Sequence, residues 1–375
     1  MQSEGGFMRF EFDDTLAAFR KEVRDAIAAD LPDDMRARQI AYGGIQSEHR
    51  DTLAWTRILA KRGWSVPHWP VELGGQPWTP MQHFVFDEEM YDAYAPEVSW
   101  GGAHMVGPVI YTFGTDAQKQ RFLPSIRGGD FIWAQGFSEP GAGSDLAHLR
   151  TSAVLEGDHY IVNGQKIWTS GAHDAEWGFF LVRTDAEVKP QRGISFLLIK
   201  LDVPGITIRR IPQINGEADL CEVFLDNVEV RADQLVGEPG QGWSYAKFLL
   251  DNERTTSSFI YWNKREVRRT KAIARAEGLE SVPTFQARIA RVEAEVTALE
   301  WSVLRTLSGE AYAYLLGARS LRFFPTDAGD RIPAPLWDAH VAGRTGVALG
   351  TRAATIFGGT LQVQKNIIAK LAFGL

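Results

Sequence analysis

The chain has 375 residues, enough for two or three packed units, and its 45% hydrophobic and 23% charged side chains are ordinary for a soluble globular protein. The net charge of −7, with no long block of lysine or arginine, sets aside nucleic acid as the main partner and leaves room only for a local basic pocket for a phosphorylated ligand. A single cysteine, Cys221, excludes an internal disulfide and suits a reducing cytoplasm. The opening "MQSEGGFMRFEFDD" is acidic and lacks the basic-then-apolar order of a signal peptide. No apolar run reaches the ~18 residues a membrane span needs, so membrane insertion is not expected.

In chain order, the first ~130 residues read as helices. Leu16, Phe19, Val23 and Ile27 recur at helical spacing and predict one buried face. In "FGTDAQKQRFLPSI", Gly114 ends one helix, Thr115 and Gln118 form a capping box for the next, and Pro124 is expected to close it. "GWSVPHWPVELGG", residues 63–75, is too rich in proline and glycine for helix and predicts a packed loop.

The pattern changes near Ile132. From Ala134 to about Arg231 come short β-rich runs: "HYIV" and "QKIWTS" around Asn163-Gly164, then "WGFFLVRTD", "ISFLLIKL", "GITIRRI" and "CEVFLDNVEV". Asn163-Gly164 predicts a hairpin turn, and Asp226-Asn227 a bend in the last strand. Helices return at Trp243, with residues 243–278 expected to form one long helix or nearly so. A second begins at Pro283, and a final helix is expected around Val341 to Ala354. The predicted architecture is therefore α+β: a helical domain over 1–131, a small β-domain over 132–236 and a helical bundle over 237–375.

Two stretches carry chemistry. "WAQGFSEPGAGSDLAHLRT", residues 133–151, joins the first helical part to the β-domain. Pro140, Gly141 and Gly143 favour an irregular loop whose amides and small hydroxyls are free to bind a ligand. A tight inter-domain turn explains the same residues, and neither GxGxxG nor Walker spacing is present. The second stretch is "YAKFLLDNERTTSSFIYW". Ala246, Leu249, Leu250, Glu253, Ser257 and Ile260 mark one face at helical spacing, so Glu253 falls on an apolar stripe. Leu249 and Ser257, its neighbours one turn away, offer no cation, and Arg254 pairs instead with Asp251. A desolvated carboxylate with a raised pKa suits a general base. Pairing of Glu253 with a cation from another helix is the structural alternative.

The glycine loop together with "DHYIVNGQKIWTSGAHDAEWGFFLVRTD" resembles the flavin-binding middle domain of acyl-CoA dehydrogenases. The likeness covers nearly the whole chain, including "FEFDDTLAAFRKEVR", "GPVIYTFGTDAQKQRFLPSI" and "QVQKNIIAKLAFGL". "MVGPVIYTFG" and "QGFSEPGAGSDLAHL" are similar to the pimeloyl-CoA dehydrogenase large subunit and to bacterial steroid-degrading members. The resemblance implies an N-terminal all-α domain, a middle β-barrel domain and a C-terminal four-helix bundle. It also implies FAD, an acyl-CoA substrate, an electron-transfer flavoprotein as acceptor, and a homo- or heterotetramer. Residue by residue, it places Gln135, Phe137, Ser138, Gly143 and Thr360 at the flavin, Trp168 over the ring and Ser170 near N5. Ser144, Asp251 and Arg254 would lie along CoA. The bland reading of Trp168 is a core aromatic closing the hairpin.

Most members carry the catalytic glutamate where this chain has Gly358. A minority place it on the helix matching Glu253, with a small residue at the other site. The resemblance therefore implies Glu253 as base, with the Gly358 amide donating to the thioester carbonyl. The arginine-phenylalanine-glycine and Q-x-x-GG motifs that hold the adenine half of FAD in many members are absent, as in relatives built from two different subunits. Three readings follow: an acyl-CoA dehydrogenase forming a trans-2-enoyl-CoA, a flavin-site partner subunit of a heteromer, or a flavin oxidase or monooxygenase of the same fold.

Overall fold

The computed structural model describes residues 14–42, 47–214, 216–256 and 259–307. Among the described residues six α-helices precede the sheet: α1 (Asp14–Asp30), α2 (Asp33–Tyr42), α3 (His49–Arg62), α4 (Pro80–Asp92), α5 (Gly107–Phe113) and α6 (Asp116–Gly128), with a π-helical turn at Trp100–Val106 before α5. Phe19, Val23 and Ile27 of α1 are buried as their spacing predicts, and pack with Trp55 and Leu59 of α3 and Val85 and Phe86 of α4. The 63–75 segment is a loop held by Trp69, whose indole N–H donates to the Ala103 carbonyl at 2.7 Å, with one 3-10 turn at Val71–Leu73.

The capping box at Thr115 forms: its hydroxyl accepts from the Gln118 N–H, and the Gln118 side chain accepts from the Thr115 N–H. Pro124 does not end that helix. It sits inside α6, which continues to Gly128 and stops at Gly129 in the left-handed region (φ 70°). The missing proline N–H removes one helical bond, but Phe122, Leu123 and Ile126 are all buried in the central core, and that burial outweighs it.

The seven strands are β1 (Trp133–Gly136), β2 (Ser152–Glu156), β3 (His159–Ser170), β4 (Trp177–Arg183), β5 (Ile194–Lys200), β6 (Ile206–Arg210) and β7 (Leu220–Arg231). Their order is β1-β4-β2-β3-β7-β6, with β5 also on β4. β4 and β5 are buried almost end to end. Phe179, Leu181, Phe196 and Leu198 face the helices, and Phe180, Val182, Leu197 and Ile199 fill the other face, which explains their unbroken apolar runs.

Asn163-Gly164 is not a hairpin turn. β3 runs straight through it, and the turn lies at Gly157-Asp158, where Glu156 pairs with His159 and Gly157 has φ 63°. Asn163 instead sits at a bulge opposite Asn227, which bends β7 with φ 50°. The Asn227 N–H donates to Asn163 Oδ1 at 2.8 Å, and Asn163 Nδ2 donates to Asn227 Oδ1 at 3.2 Å. Gly164 has φ 154°, and a Cβ there would stand 2.5 Å from Thr151 Oγ1 and 2.7 Å from Thr151 Cα. Gly164→Ala is therefore expected to destabilise the protein by about 1–3 kcal/mol, read as a lower denaturant midpoint at unchanged slope.

After the sheet come α7 (Gly242–Thr256), α8 (Ile260–Ala276) and α9 (Pro283–Leu307). The single helix expected over 243–278 is broken: α8 restarts after Phe259, whose φ of 49° no continuous helix accommodates. The two halves answer to different partners. Ala246 and Leu249 of α7 are buried in the central core with Val106, Val109 and Phe196. Ile260 of α8 packs with Phe84 of α4 and with Val296, Leu299 and Val303 of α9. Lys264 of α8 also pairs with buried Glu88 of α4, which Arg20 of α1 contacts from another side. The helix expected at Val341 to Ala354, and with it the rest of the C-terminal bundle, lies outside the described residues.

Candidate active site

The glycine loop leaves β1 at Phe137 and folds on itself: Glu139 and Ala142 exchange both main-chain hydrogen bonds at 3.0 Å. Neither Gly141 nor Gly143 takes a positive φ, and a Cβ on either would meet nothing within 4 Å. Turn geometry and packing therefore do not require these glycines, which favours a loop kept bare for close approach of a ligand. Beside it opens a pocket of about 440 Å³ lined by Glu139, Gly141, His148, Arg150, Thr151 and Gln165.

A buried ion pair anchors the loop. Lys166, fully buried on β3, gives its ammonium to Glu139 Oε1 at 2.8 Å, to the Leu181 carbonyl at 2.7 Å and to the Phe137 carbonyl at 3.2 Å. All three of its protons are used. The Glu139 carboxylate also accepts the N–H groups of Arg150 (2.6 Å) and Thr151 (2.9 Å). Burial pushes the Lys166 ammonium down to about 8, with Glu139 opposing the shift. For Glu139 burial works upward, yet the Lys166 charge and the donated hydrogen bonds hold the carboxyl below its usual range. The sequence reading passed over this pair. Its signal was parity: Tyr160, Val162 and Lys166 share one inward-facing register of β3, where a lysine must find partners.

The pair also brings two predicted segments together. The Ile167 N–H donates to the Ser138 carbonyl at 3.0 Å, so the start of the glycine loop is tied to β3 at the residue before Trp168. Trp168 occupies a second bulge of β3, between Lys166 and Thr169, with φ 64° and 56% of its surface exposed. That excludes its reading as a core aromatic. A large apolar side chain held exposed on a left-handed backbone costs free energy unless something covers it. Ser170 is exposed beside it, and Gln135 and Ser138 are half-buried. Phe137 stands apart: its ring packs edge-on against Phe179 and Phe196 at 5.8 and 6.1 Å, leaving its main chain as the part nearest the loop. Gly143 and Ser144 are exposed on the loop.

Glu253, Asp251 and Arg254 belong to α7, but their side chains lie outside the described atoms. The preceding members of the predicted stripe behave as expected, with Ala246 and Leu249 buried and Leu250 packed against the same core. Gly358 and Thr360 lie outside the described residues.

Residues 13–130 match the acyl-CoA dehydrogenase N-terminal domain and residues 134–228 the acyl-CoA dehydrogenase middle domain. The chain is 38% identical to the acyl-CoA dehydrogenase IpdE1 of Mycobacterium tuberculosis, over 95% of this chain and 97% of that protein. The chain belongs to the acyl-CoA dehydrogenase family. As an acyl-CoA dehydrogenase it is an oxidoreductase, and it is 32% identical to FadE26 of the same organism over 98% of its length and 99% of the relative's. Among solved structures it resembles the Tcur3481-Tcur3483 steroid ACAD, with a TM-score of 0.82 at 27% identity, covering 98% of this chain and 99% of that one. It also resembles the ChsE4-ChsE5 complex from Mycobacterium tuberculosis, with a TM-score of 0.75 at 30% identity, covering 98% and 99%. The all-α, β and helical architecture predicted from the residues is that of the acyl-CoA dehydrogenase family. Among the described residues no helix is long and apolar enough to cross a membrane.

Proposed function

We propose that this acyl-CoA dehydrogenase binds FAD against Trp168 and desaturates an acyl-CoA to its trans-2-enoyl-CoA, with Glu253 as base. The observation that carries the reading is Trp168: exposed, left-handed, and tied through Ile167 and Ser138 to a loop with two glycines that packing does not require. These residues fit an aromatic cofactor ring, with Trp168 as a wall that excludes water and Gln135, Ser138 and Ser170 as nearby polar groups. When bound, FAD supplies a hydride acceptor for the substrate β-carbon. The protein supplies the rest. Glu253 takes the α-proton, and the Gly358 N–H donates to the thioester oxygen as negative charge develops on it. Ser144, Asp251 and Arg254 hold the CoA portion.

The similarity to a steroid ACAD supports an alicyclic, steroid-derived acyl group over a simple fatty chain. The paired names of two solved structures support a second reading, in which this chain holds flavin only with a different partner subunit. We place the protein in the cytoplasm, with electron-transfer flavoprotein as acceptor. The test is the visible spectrum of the purified chain, alone and co-expressed with the product of a neighbouring gene, followed by a screen of acyl-CoA thioesters for flavin bleaching. Yellow protein bleached by an alicyclic acyl-CoA supports the reading. Flavin that no thioester bleaches, in either preparation, overturns it.

A further inference from the structure

Three elements meet just past the end of β3, where the chain leaves Ser170. Residues 171–174 form a tight turn: the Asp174 N–H donates to the Gly171 carbonyl at 3.0 Å, and the Gly171 N–H donates to the Asp219 carbonyl, just before β7, at 3.0 Å. From the helical side comes His49, the first residue of α3. Its Nδ1 lies 3.0 Å from Asp174 Oδ2, and since a carboxylate only accepts, Nδ1 carries the donated proton. The imidazole also packs on Gly171. A Cβ on that residue, which has φ 66°, would stand 2.7 Å from His49 Cε1 and 2.8 Å from Nε2. Glycine thus admits both the left-handed turn and the ring.

α3 is a firm seat for this imidazole. Trp55 and Leu59, further along it, are buried with residues of α1 and α4, and Arg38 of α2 clamps Asp51 with two bonds of 2.8 Å. His173 flanks the same carboxylate, with Nε2 3.6 Å from Asp174 Oδ2 and Nδ1 3.5 Å from Cys221 Sγ. Burial pushes the Cys221 thiol up, so it fills space rather than reacts.

The ordinary reading of His49 and Asp174 is a surface pair. Their side chains are 25% and 54% exposed, and pairs so placed contribute little to stability. What distinguishes this one is its place. Ser170 directly precedes Gly171, Trp168 stands two residues earlier, and both are exposed. Two left-handed residues, Trp168 (φ 64°) and Gly171, bracket Ser170, so it is aimed by the bulge on one side and by the turn on the other. We propose that His49 is a positioning residue for the flavin site: by tying Asp174 and packing on Gly171 it fixes the turn, and the turn fixes the direction of the Ser170 hydroxyl. The proposal rests on the FAD reading above. It makes α3, a helix of the N-terminal part, a contributor to the flavin wall.

The test titrates FAD into flavin-free protein, with its partner subunit where one is needed, and follows flavin fluorescence. Ser170→Ala and His49→Phe are each expected to weaken FAD binding about three- to ten-fold, the worth of one hydrogen bond. Phenylalanine keeps a ring against Gly171 and removes the bond to Asp174. His49→Asn, which keeps a donor facing Asp174, is expected to recover most of the affinity. Because His49 acts through Ser170, the variant carrying both His49→Phe and Ser170→Ala should bind FAD no more weakly than Ser170→Ala alone. Losses that add, which mark a structural role, overturn the positioning role while the FAD reading stands. So does wild-type affinity in either single variant, or a loss that His49→Asn shares in full. A wild-type protein that takes up no flavin in any preparation overturns the FAD reading, and the positioning role with it.

Discussion

Glu253→Gln is expected to leave the flavin bound and to slow substrate-dependent bleaching by about 10²–10⁴-fold, the range a positioned general base contributes. The substitution is nearly isosteric and removes only the capacity to take a proton. Packing of α7 is carried by Leu249 and Ala246, one and two turns earlier, both buried in the central core. The helix should therefore hold, and substrate affinity should change little. Because the lost function is proton abstraction, kcat falls and KM does not rise in proportion. Single-turnover bleaching with near-normal rates in Glu253→Gln would sink the assignment and return attention to the helix of Gly358.

The second large effect is structural. Lys166→Met is expected to destabilise the protein by about 3–5 kcal/mol, the cost of leaving one member of a buried ion pair without the other. Methionine fills much of the lysine volume, so the loss is not a cavity. It comes from the Glu139 carboxylate, which would be buried with only the Arg150 and Thr151 amides for company. The Phe137 and Leu181 carbonyls lose a donor at the same time. Ile167, next to Trp168, donates its N–H to Ser138 near this pair, so weaker flavin retention should accompany the loss of stability. Adding Glu139→Gln should recover part of the stability, because the uncompensated charge is removed. Denaturant unfolding of the single and double variants, with flavin release followed by fluorescence, checks both parts. A Lys166→Met protein as stable as wild type would show that the pair is not what anchors the loop.

Much of the fold was legible because long periodic segments have one dominant cause. The buried face of α1 and the capping box at Thr115 follow from side-chain spacing alone. The misses share a different cause. Pro124 and the residues around Phe259 were judged by local propensity, and tertiary packing decided otherwise. At Asn163-Gly164 a strong turn signal competed with Gly157-Asp158, which carries a weaker signal of the same kind. Thr151, packed against Gly164, and Asn227 across the bulge sided with the second. The site was legible unevenly. The glycine loop and Trp168 stand out by composition and resemblance, whereas Glu139 and Lys166 look like ordinary surface charges until strand parity places the lysine inside. The left-handed backbone of Trp168 had no signal in the residues, since nothing in "QKIWTS" demands it.

The break before α8 bears on how the enzyme tolerates change. A single rod from Trp243 to Gly278 would act as a lever arm, with a tilt at the α9 end swinging Glu253 through a larger arc. The left-handed Phe259 divides that lever. α7 is clamped by β4, β5 and the π-turn, while α8 answers to Phe84 and Glu88 of α4 and to α9. Substitutions or subunit contacts that shift the α8–α9 hairpin therefore meet a fulcrum before they reach α7. The α8–α9 hairpin can shift while α7, which carries the base proposed above, keeps its seat on the central core.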